Sequence, residues 1–344
     1  MVRAVARAVC HQLNRVQGYM RDILISENIT GAAVDRLAAR FDVLYLPELW
    51  KDPEALAEHM RDVRALMVRN QTRVTRELLC TSPELLVVSR AGAGLDNIDV
   101  EAATEAGVLV TYAPDQNSIS AAEHTLALLL ALMRRIPAAD GDTKAGGWNR
   151  KRFFGHEIYG KTLGIIGLGK IGYLTAARAQ AFGMKILAWD PQLSRDNVYL
   201  AQLNAELVGL DELLSRADVV SCHVPSNPQT AGMLNRQHFA TMKPTACIIN
   251  TSRGEIINEA DLVDALKSGK IAGAALDVRA NEPPSKSELE SLPNVILTPH
   301  IAAFTDEAQE RVTSAVCEDV ARVLEGKSPQ YPANRPGTRP TVLA

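Results

Sequence analysis

From residue 22 onward the chain alternates short β-rich apolar runs with longer stretches of helical spacing. Ile23–Ile25, Val43–Leu46, Ala65–Val68, Leu85–Val88 and Val108–Val110 read as strands. Segments such as Ala32–Arg40 and Pro53–Met60 carry apolar positions three and four apart, with charged residues between them. Strand, helix, strand repeated in this way predicts a parallel sheet covered on both faces. Ser118-Ile119-Ser120-Ala121-Ala122-Glu123-His124 then looks like a serine cap opening a long apolar helix. A fresh series begins near Lys161, with expected strands Leu163–Ile166, Lys185–Trp189, Val219–His223, Ala246–Asn250, Ala272–Asp277 and Val295–Thr298. A last helical pattern, Glu307 to Leu324, is placed to return and pack on the first domain.

The expected fold is therefore α/β, with two Rossmann-like, doubly wound parallel-sheet domains. The expected division is an N-terminal extension, residues 1–21, and a discontinuous substrate-binding domain, 22–117 with 305–333. The dinucleotide-binding domain would be 118–304, followed by a tail, 334–344. Residues 325–344, rich in Pro, Gly and polar groups, are expected to be irregular. Residues 1–19 carry Arg3, Arg7 and Arg15 and no acid, faintly like a transit peptide. Met20, standing just before the first strand, favours an upstream extension or a misassigned start instead.

Bulk properties narrow the partners. The 344 residues suit two domains, and 47% hydrophobic with 22% charged residues suits a full core. A formal charge of −3 with scattered Arg and Lys argues against nucleic acid. The greasiest stretch, Leu126 to Met133, is far short of the ~20 residues of a membrane span. Five dispersed cysteines, with no C-x-x-C pair, fit a reducing cytoplasm and offer no metal or disulfide framework. Cys222 and Cys247 sit in apolar runs, as small core residues do.

Chemistry enters at the strand ends. Gly167-Leu168-Gly169-Lys170-Ile171-Gly172 follows a strand and opens a helix. Gly167 allows the tight turn, Gly169 the approach of a pyrophosphate, and Gly172 close helix packing. The free N–H groups of that helix suit an anion. Asp190 ends the next strand, where a carboxylate accepts from the adenosine ribose hydroxyls and repels a 2′-phosphate, so NAD is expected over NADP. The turn His223-Val224-Pro225 should border the cofactor through backbone at Val224. Reduction of a 2-oxo acid further needs a cation, a proton donor and a partner for that donor. Arg253 suits the first role, gripping a carboxylate with two parallel hydrogen bonds. His300 suits the second. Glu282 suits the third, because a carboxylate beside an imidazole favours the imidazolium. Asp277 is an alternative partner for the histidine, although its position at a strand end fits the nicotinamide side better.

With these residues in order, the chain resembles the D-isomer-specific 2-hydroxyacid dehydrogenase family over roughly residues 22–330. The matching stretches are Arg90–Asp99, Asn117–Glu123, Gly167–Gly172, Asn250–Gly254, Ala274–Pro284 and Thr298–Ala303. The resemblance implies an active site in the cleft between the domains, a homodimer, D substrates, and Arg253, Glu282 and His300 as the catalytic set. It implies that Gly92, Ala93, Gly94, Arg253 and His300 hold the substrate. Lys170, Ile171, Asp190, Val224, Thr251, Ser252, Arg253, Asp277, His300, Ala302 and Ala303 would border NAD, beside the three glycines. Val68–Thr75 looks most like the phosphoglycerate-dehydrogenase branch, in which a residue matching Arg69 faces the substrate phosphate. Arg69 follows a strand and suits any second anion, or a structural salt bridge. The C-terminal regulatory domain common in that branch is not expected here, so 3-phosphoglycerate, glycerate/hydroxypyruvate and glyoxylate all stay open as substrates. Formate dehydrogenases fit less well, since they carry glutamine where Glu282 stands. Phe304 departs from the small residue usual at that point, which bears on pocket shape. A second reading is an NAD-sensing, corepressor-like binding protein of the same fold. Consumption of NADH with 2-oxo acids separates the two.

Overall fold

The computed structural model describes residues 21–337. The expected extension, apart from Arg21, and the last seven residues of the expected tail lie outside that range. The chain divides into two compact units, one comprising residues up to Asn117 together with those from Asp306 onward, the other Ser118–Thr305.

In the first unit five parallel strands stand in the order β2-β1-β3-β4-β5. They are β1 (Arg21–Ile25), β2 (Val43–Tyr45), β3 (Val63–Val68), β4 (Val87–Arg90) and β5 (Leu109–Thr111). Both faces are covered, which is why the strands are near-continuous apolar runs rather than alternating ones. Leu24, Leu66 and Val88 point into one core; Ile23, Ala65, Met67 and Val87 point into the other. The helix Asp306–Leu324 supplies Val312, Val316, Val320 and Leu324 to the second of these cores. The late helical pattern thus packs on the first sheet.

The segment expected to be an irregular tail lacks helix and strand but is tied down. Thr111 forms an antiparallel bridge with Pro332. The Asn334 side chain accepts from Val110 N (2.8 Å) and donates to Val108 O and Thr104 Oγ1 (both 2.9 Å). Asp319, fully buried, accepts from the backbone of Gln330 (2.6 Å) and Tyr331 (2.9 Å). Residues 330–334 therefore cover the exposed edge of β5, an edge that would otherwise present unpaired backbone groups.

The second unit holds a seven-stranded parallel sheet, in the order β12-β11-β10-β9-β6-β7-β8. Its strands are β6 (Thr162–Ile166), β7 (Lys185–Trp189), β8 (Glu206–Leu207), β9 (Val219–Cys222), β10 (Cys247–Asn250), β11 (Gly273–Leu276) and β12 (Val295–Leu297). One strand more is present than the sequence pattern indicates. β8 has two residues, too few to show a period, and gains its identity by pairing with β7. The strand order reverses between β6 and β9, which is where ligands bind in open α/β sheets. The apolar helix Ser118–Met133 buries Leu126, Leu129 and Met133 against this sheet and the helix Lys170–Ala181. No helix among the described residues is long and apolar enough to cross a membrane.

Candidate active site

Register places the chemistry of the second unit along one edge. Ile166 pairs with both Trp189 and Cys222; Asn250 pairs with Cys222 and Leu276; Leu276 pairs with Leu297. These residues end, or all but end, their strands. The next residues in the chain are Gly167, Asp190, His223, Thr251, Asp277 and Thr298.

At the switch point Gly167 has φ 92°, in the left-handed region that glycine tolerates. A Cβ there would stand 2.8 Å from Val224 Cγ1 and 2.9 Å from Val224 N, so the glycine turn and Val224 lie against each other. A Cβ at Gly172 would meet Gly167 O at 2.2 Å, the close helix packing its spacing indicates. At Gly169, by contrast, a Cβ would meet nothing within 4 Å, leaving room for a ligand. Gly169 stands at the N-cap of the helix Lys170–Ala181 and has no side chain to satisfy the first-turn N–H groups. Asp190 Oδ2 accepts from Leu168 N at 3.0 Å and Oδ1 from Gln192 N at 2.9 Å. The carboxylate is thereby fixed beside the glycine turn, with lone pairs to spare. These residues fit a dinucleotide: an open turn for the pyrophosphate and an oriented acid for a ribose. His223 bonds Ser221 Oγ at 2.9 Å, and burial pushes its imidazole down to about 4, so it is neutral.

Arg253 lies in extended backbone after β10. Asn250 organises the turn before it: its Nδ2 donates to Arg253 O (2.8 Å), while Ser252 N and Oγ donate to its Oδ1 (3.1 and 2.9 Å). Thr251 and Thr125 share a buried hydroxyl contact of 2.8 Å. The Arg253 guanidinium donates to Ser252 O at 2.8 Å. Gly254 is required by a close approach. A Cβ there would stand 2.0 Å from the carbonyl carbon of Arg279.

His300 and Glu282, 18 residues apart, come together. His300 Nδ1 donates to Glu282 Oε2 at 2.6 Å, and the other carboxylate oxygen accepts from Arg279 N at 3.1 Å. Burial opposes ionisation of Glu282. The bond and charge of His300 and the Arg279 N–H outweigh it, and the carboxyl is held below its usual range. His300 has φ 55°, a left-handed conformation costly for a side chain this size. It is held there by N–H donation to Asp277 O at 2.7 Å. Nδ1 is committed to Glu282, and both side chains are partly exposed.

Asp277 does more than its sequence position indicates. Its side chain is fully buried, accepting from Thr298 Oγ1 (2.5 Å), Ile301 N (2.9 Å) and Ala302 N (2.8 Å), with His124 Nε2 at 3.3 Å. Burial disfavours its charge, yet these donors hold its pKa below the usual carboxylate value. It thus clamps the loop that carries His300 rather than bonding the imidazole.

In the first unit Arg69 follows β3 and Gly92 follows β4, with Ala91 N donating to Val68 O at 2.7 Å. The Arg69 guanidinium donates to Asn28 O (3.2 Å) and Gln309 Oε1 (2.7 Å), and burial lowers its pKa against the pull of Glu27. The sequence reading missed Glu27. Its buried carboxylate accepts backbone N–H groups from Arg69, Gln71 and Thr72 and so shapes the Arg69 loop. Gly92, Ala93 and Gly94 lie at the carboxyl end of the same sheet.

A switch-point glycine turn, an anchored carboxylate beside it and an imidazole–carboxylate pair thus all follow strands of one parallel sheet. The family profile of the D-isomer-specific 2-hydroxyacid dehydrogenase NAD-binding domain matches residues 126–302, and the chain belongs to that family. It is 44% identical over 326 residues to a D-3-phosphoglycerate dehydrogenase of Synechocystis, covering 94% of this chain and 58% of that one. The chain therefore spans little more than half the length of that curated relative. Among solved structures, the TT0316 protein of Thermus thermophilus superposes with a TM-score of 0.85 at 34% identity, covering 91% of this chain and all of that one. A glyoxylate reductase of Paecilomyes thermophila superposes at 0.82 with 31% identity, covering 92% of this chain and 99% of that one.

Proposed function

We propose that the protein interconverts a D-2-hydroxy acid and its 2-oxo acid with NAD. The observation that carries this reading is the His300–Glu282 pair at the edge that also carries Arg253 and the glycine turn. Bound NADH supplies the hydride. Arg253 holds the substrate carboxylate by a two-pronged hydrogen bond and draws electron density from the neighbouring carbonyl. His300, charged and paired with Glu282, donates from Nε2 to the oxygen that becomes the hydroxyl. In the reverse direction neutral His300 takes that proton. Glu282 keeps the ring aimed through its bond to Nδ1.

3-Phosphoglycerate, oxidised to 3-phosphohydroxypyruvate, is the substrate we favour. Similarity to the Synechocystis enzyme supports it, as does Arg69 at a strand end in the first unit. Gly92, Ala93 and Gly94 would offer backbone to the substrate carboxylate. A panel of 3-phosphohydroxypyruvate, hydroxypyruvate, glyoxylate, sulfopyruvate and pyruvate, followed by NADH absorbance, tests the assignment. We expect the highest kcat/KM for the phosphorylated acid. NADH binding without turnover on any of them contradicts the enzyme reading and leaves an NAD-sensing role.

Asp190→Ala should narrow the preference for NAD over NADP, since the carboxylate that opposes a 2′-phosphate is lost. The ratio of the two cofactors' kcat/KM checks this, and an unchanged ratio contradicts the ribose role.

A homodimer completes the proposal. Ile136, Trp148, Phe154 and Tyr159 are exposed apolar side chains of the second unit, with Trp148 and Tyr159 each 79% exposed. Grouped within two dozen residues of sequence, they are the apolar side chains that we propose a second copy covers. Trp148→Glu with Phe154→Glu should give monomers by sedimentation, and an unchanged mass contradicts this interface. The buried free thiols of Cys222, Cys247 and Cys317 fit a reducing, cytoplasmic setting.

A further inference from the structure

We propose that Arg279 and Glu259 are positioning residues that aim Glu282 at His300. The inference rests on the acid–base role proposed above for that pair. Arg279 is a buried guanidinium with its hydrogen bonds spread over separate parts of the chain. Nε and Nη2 donate to the two oxygens of Glu259, at 3.1 and 2.9 Å. Nη1 donates to Glu290 Oε1 at 2.9 Å, and Nη2 also reaches Ser287 Oγ at 3.0 Å. Glu259 in addition accepts from Ala280 N at 2.8 Å. One carboxylate thus fixes both the side chain of residue 279 and the amide after it.

The backbone at Arg279 has two neighbours in the site. Its N–H donates to Glu282 Oε1, leaving Oε2 as the atom that meets His300. Its carbonyl carbon lies so close to Gly254 that no side chain fits there, and Gly254 directly follows Arg253. The loop from Val278 to Lys286 contains no helix or strand to hold it. The Arg279 fork supplies that rigidity from one side, tying the loop to the start of the helix Glu259–Lys267 and to the capped turn Ser287–Glu290. A planar, five-donor cation is suited to this, whereas an ammonium makes fewer directed bonds. Removing one partner of a buried pair strands the other's charge.

The test uses Arg279→Lys and the isosteric Glu259→Gln, both milder than truncation. The first readout needs no activity. The ring nitrogen resonances of His300, in protein labelled at histidine, report which nitrogen carries the hydrogen in the neutral form. We expect the Nδ1–H tautomer in the parent and a mixed population in both variants. The second readout is kcat for the oxo acid, expected to fall roughly tenfold in each variant with NADH affinity unchanged. In a Glu282→Gln background the same substitutions should cost kcat less than twofold, since their target is gone. An unaltered His300 tautomer in both variants overturns the proposal, whether or not the protein turns over substrate. So does a tenfold loss that persists in the Glu282→Gln background. A parent that holds the Nδ1–H tautomer but consumes no NADH with any oxo acid contradicts the proposed function and leaves the positioning claim standing.

Discussion

His300→Ala is expected to lower kcat for 2-oxo acid reduction by roughly 10²–10⁴, the range for loss of a positioned acid–base group. NADH affinity should be little changed, because the glycine turn, Asp190 and Val224 stand on other strands of the sheet. The reason for so large an effect is geometric. His300 adopts a left-handed backbone, with its N–H on Asp277 O and its Nδ1 on Glu282, so the structure holds it in one orientation at a conformational cost. Stopped-flow measurement of a single turnover separates the chemical step from product release. A kcat within twofold of the parent would remove His300 from the reaction.

Arg253→Ala is expected to lower kcat/KM for the oxo acid by about 10²–10⁴. Two charge-assisted hydrogen bonds to a carboxylate are lost, each about 1.5–3 kcal/mol, and about 1.4 kcal/mol is a factor of ten. Arg253→Lys should restore little of this, since an ammonium cannot present two parallel N–H groups. The turn is built to carry this residue. Asn250 bonds Ser252 before it and its own carbonyl, and Gly254 permits the turn's contact with the Arg279 backbone. Initial rates with and without a saturating oxo acid, with NADH affinity measured separately, check the assignment. A loss confined to NADH binding would move Arg253 to the cofactor alone.

Much of the site was legible because it sits where strands end. Gly167, Asp190, Arg253, Asp277 and His300 each follow an apolar run, and parallel register carries those ends to one edge of the sheet. Pairing of His300 with Glu282 was readable as chemistry, from an imidazole that needs a carboxylate, and the fold supplies the 2.6 Å contact. Less legible were features made by tertiary contact alone. β8 is two residues long and exists through its pairing with β7. Asn334 looks like a loop residue, and its role comes from meeting the backbone of β5, more than two hundred residues earlier. Glu27 and Glu259 belong to no motif, yet each gathers amides or a guanidinium from distant loops. Burial partners at such separations leave no local period. The Asp277 carboxylate is the clearest case, since its bonds to the loop after β12 are invisible in the run Ala-Leu-Asp-Val.

The central claim is that these residues serve hydride transfer to a 2-oxo carbon, with His300 as proton donor. The direct test supplies NADH carrying deuterium at the transferable C4 position, together with 3-phosphohydroxypyruvate, and locates the label in the product. The account predicts deuterium at C2 of a D-hydroxy acid with the parent protein, and label transfer slowed at least a hundredfold in His300→Ala. Bound NADH with no label in any product, or equal rates of transfer in the two proteins, would contradict it.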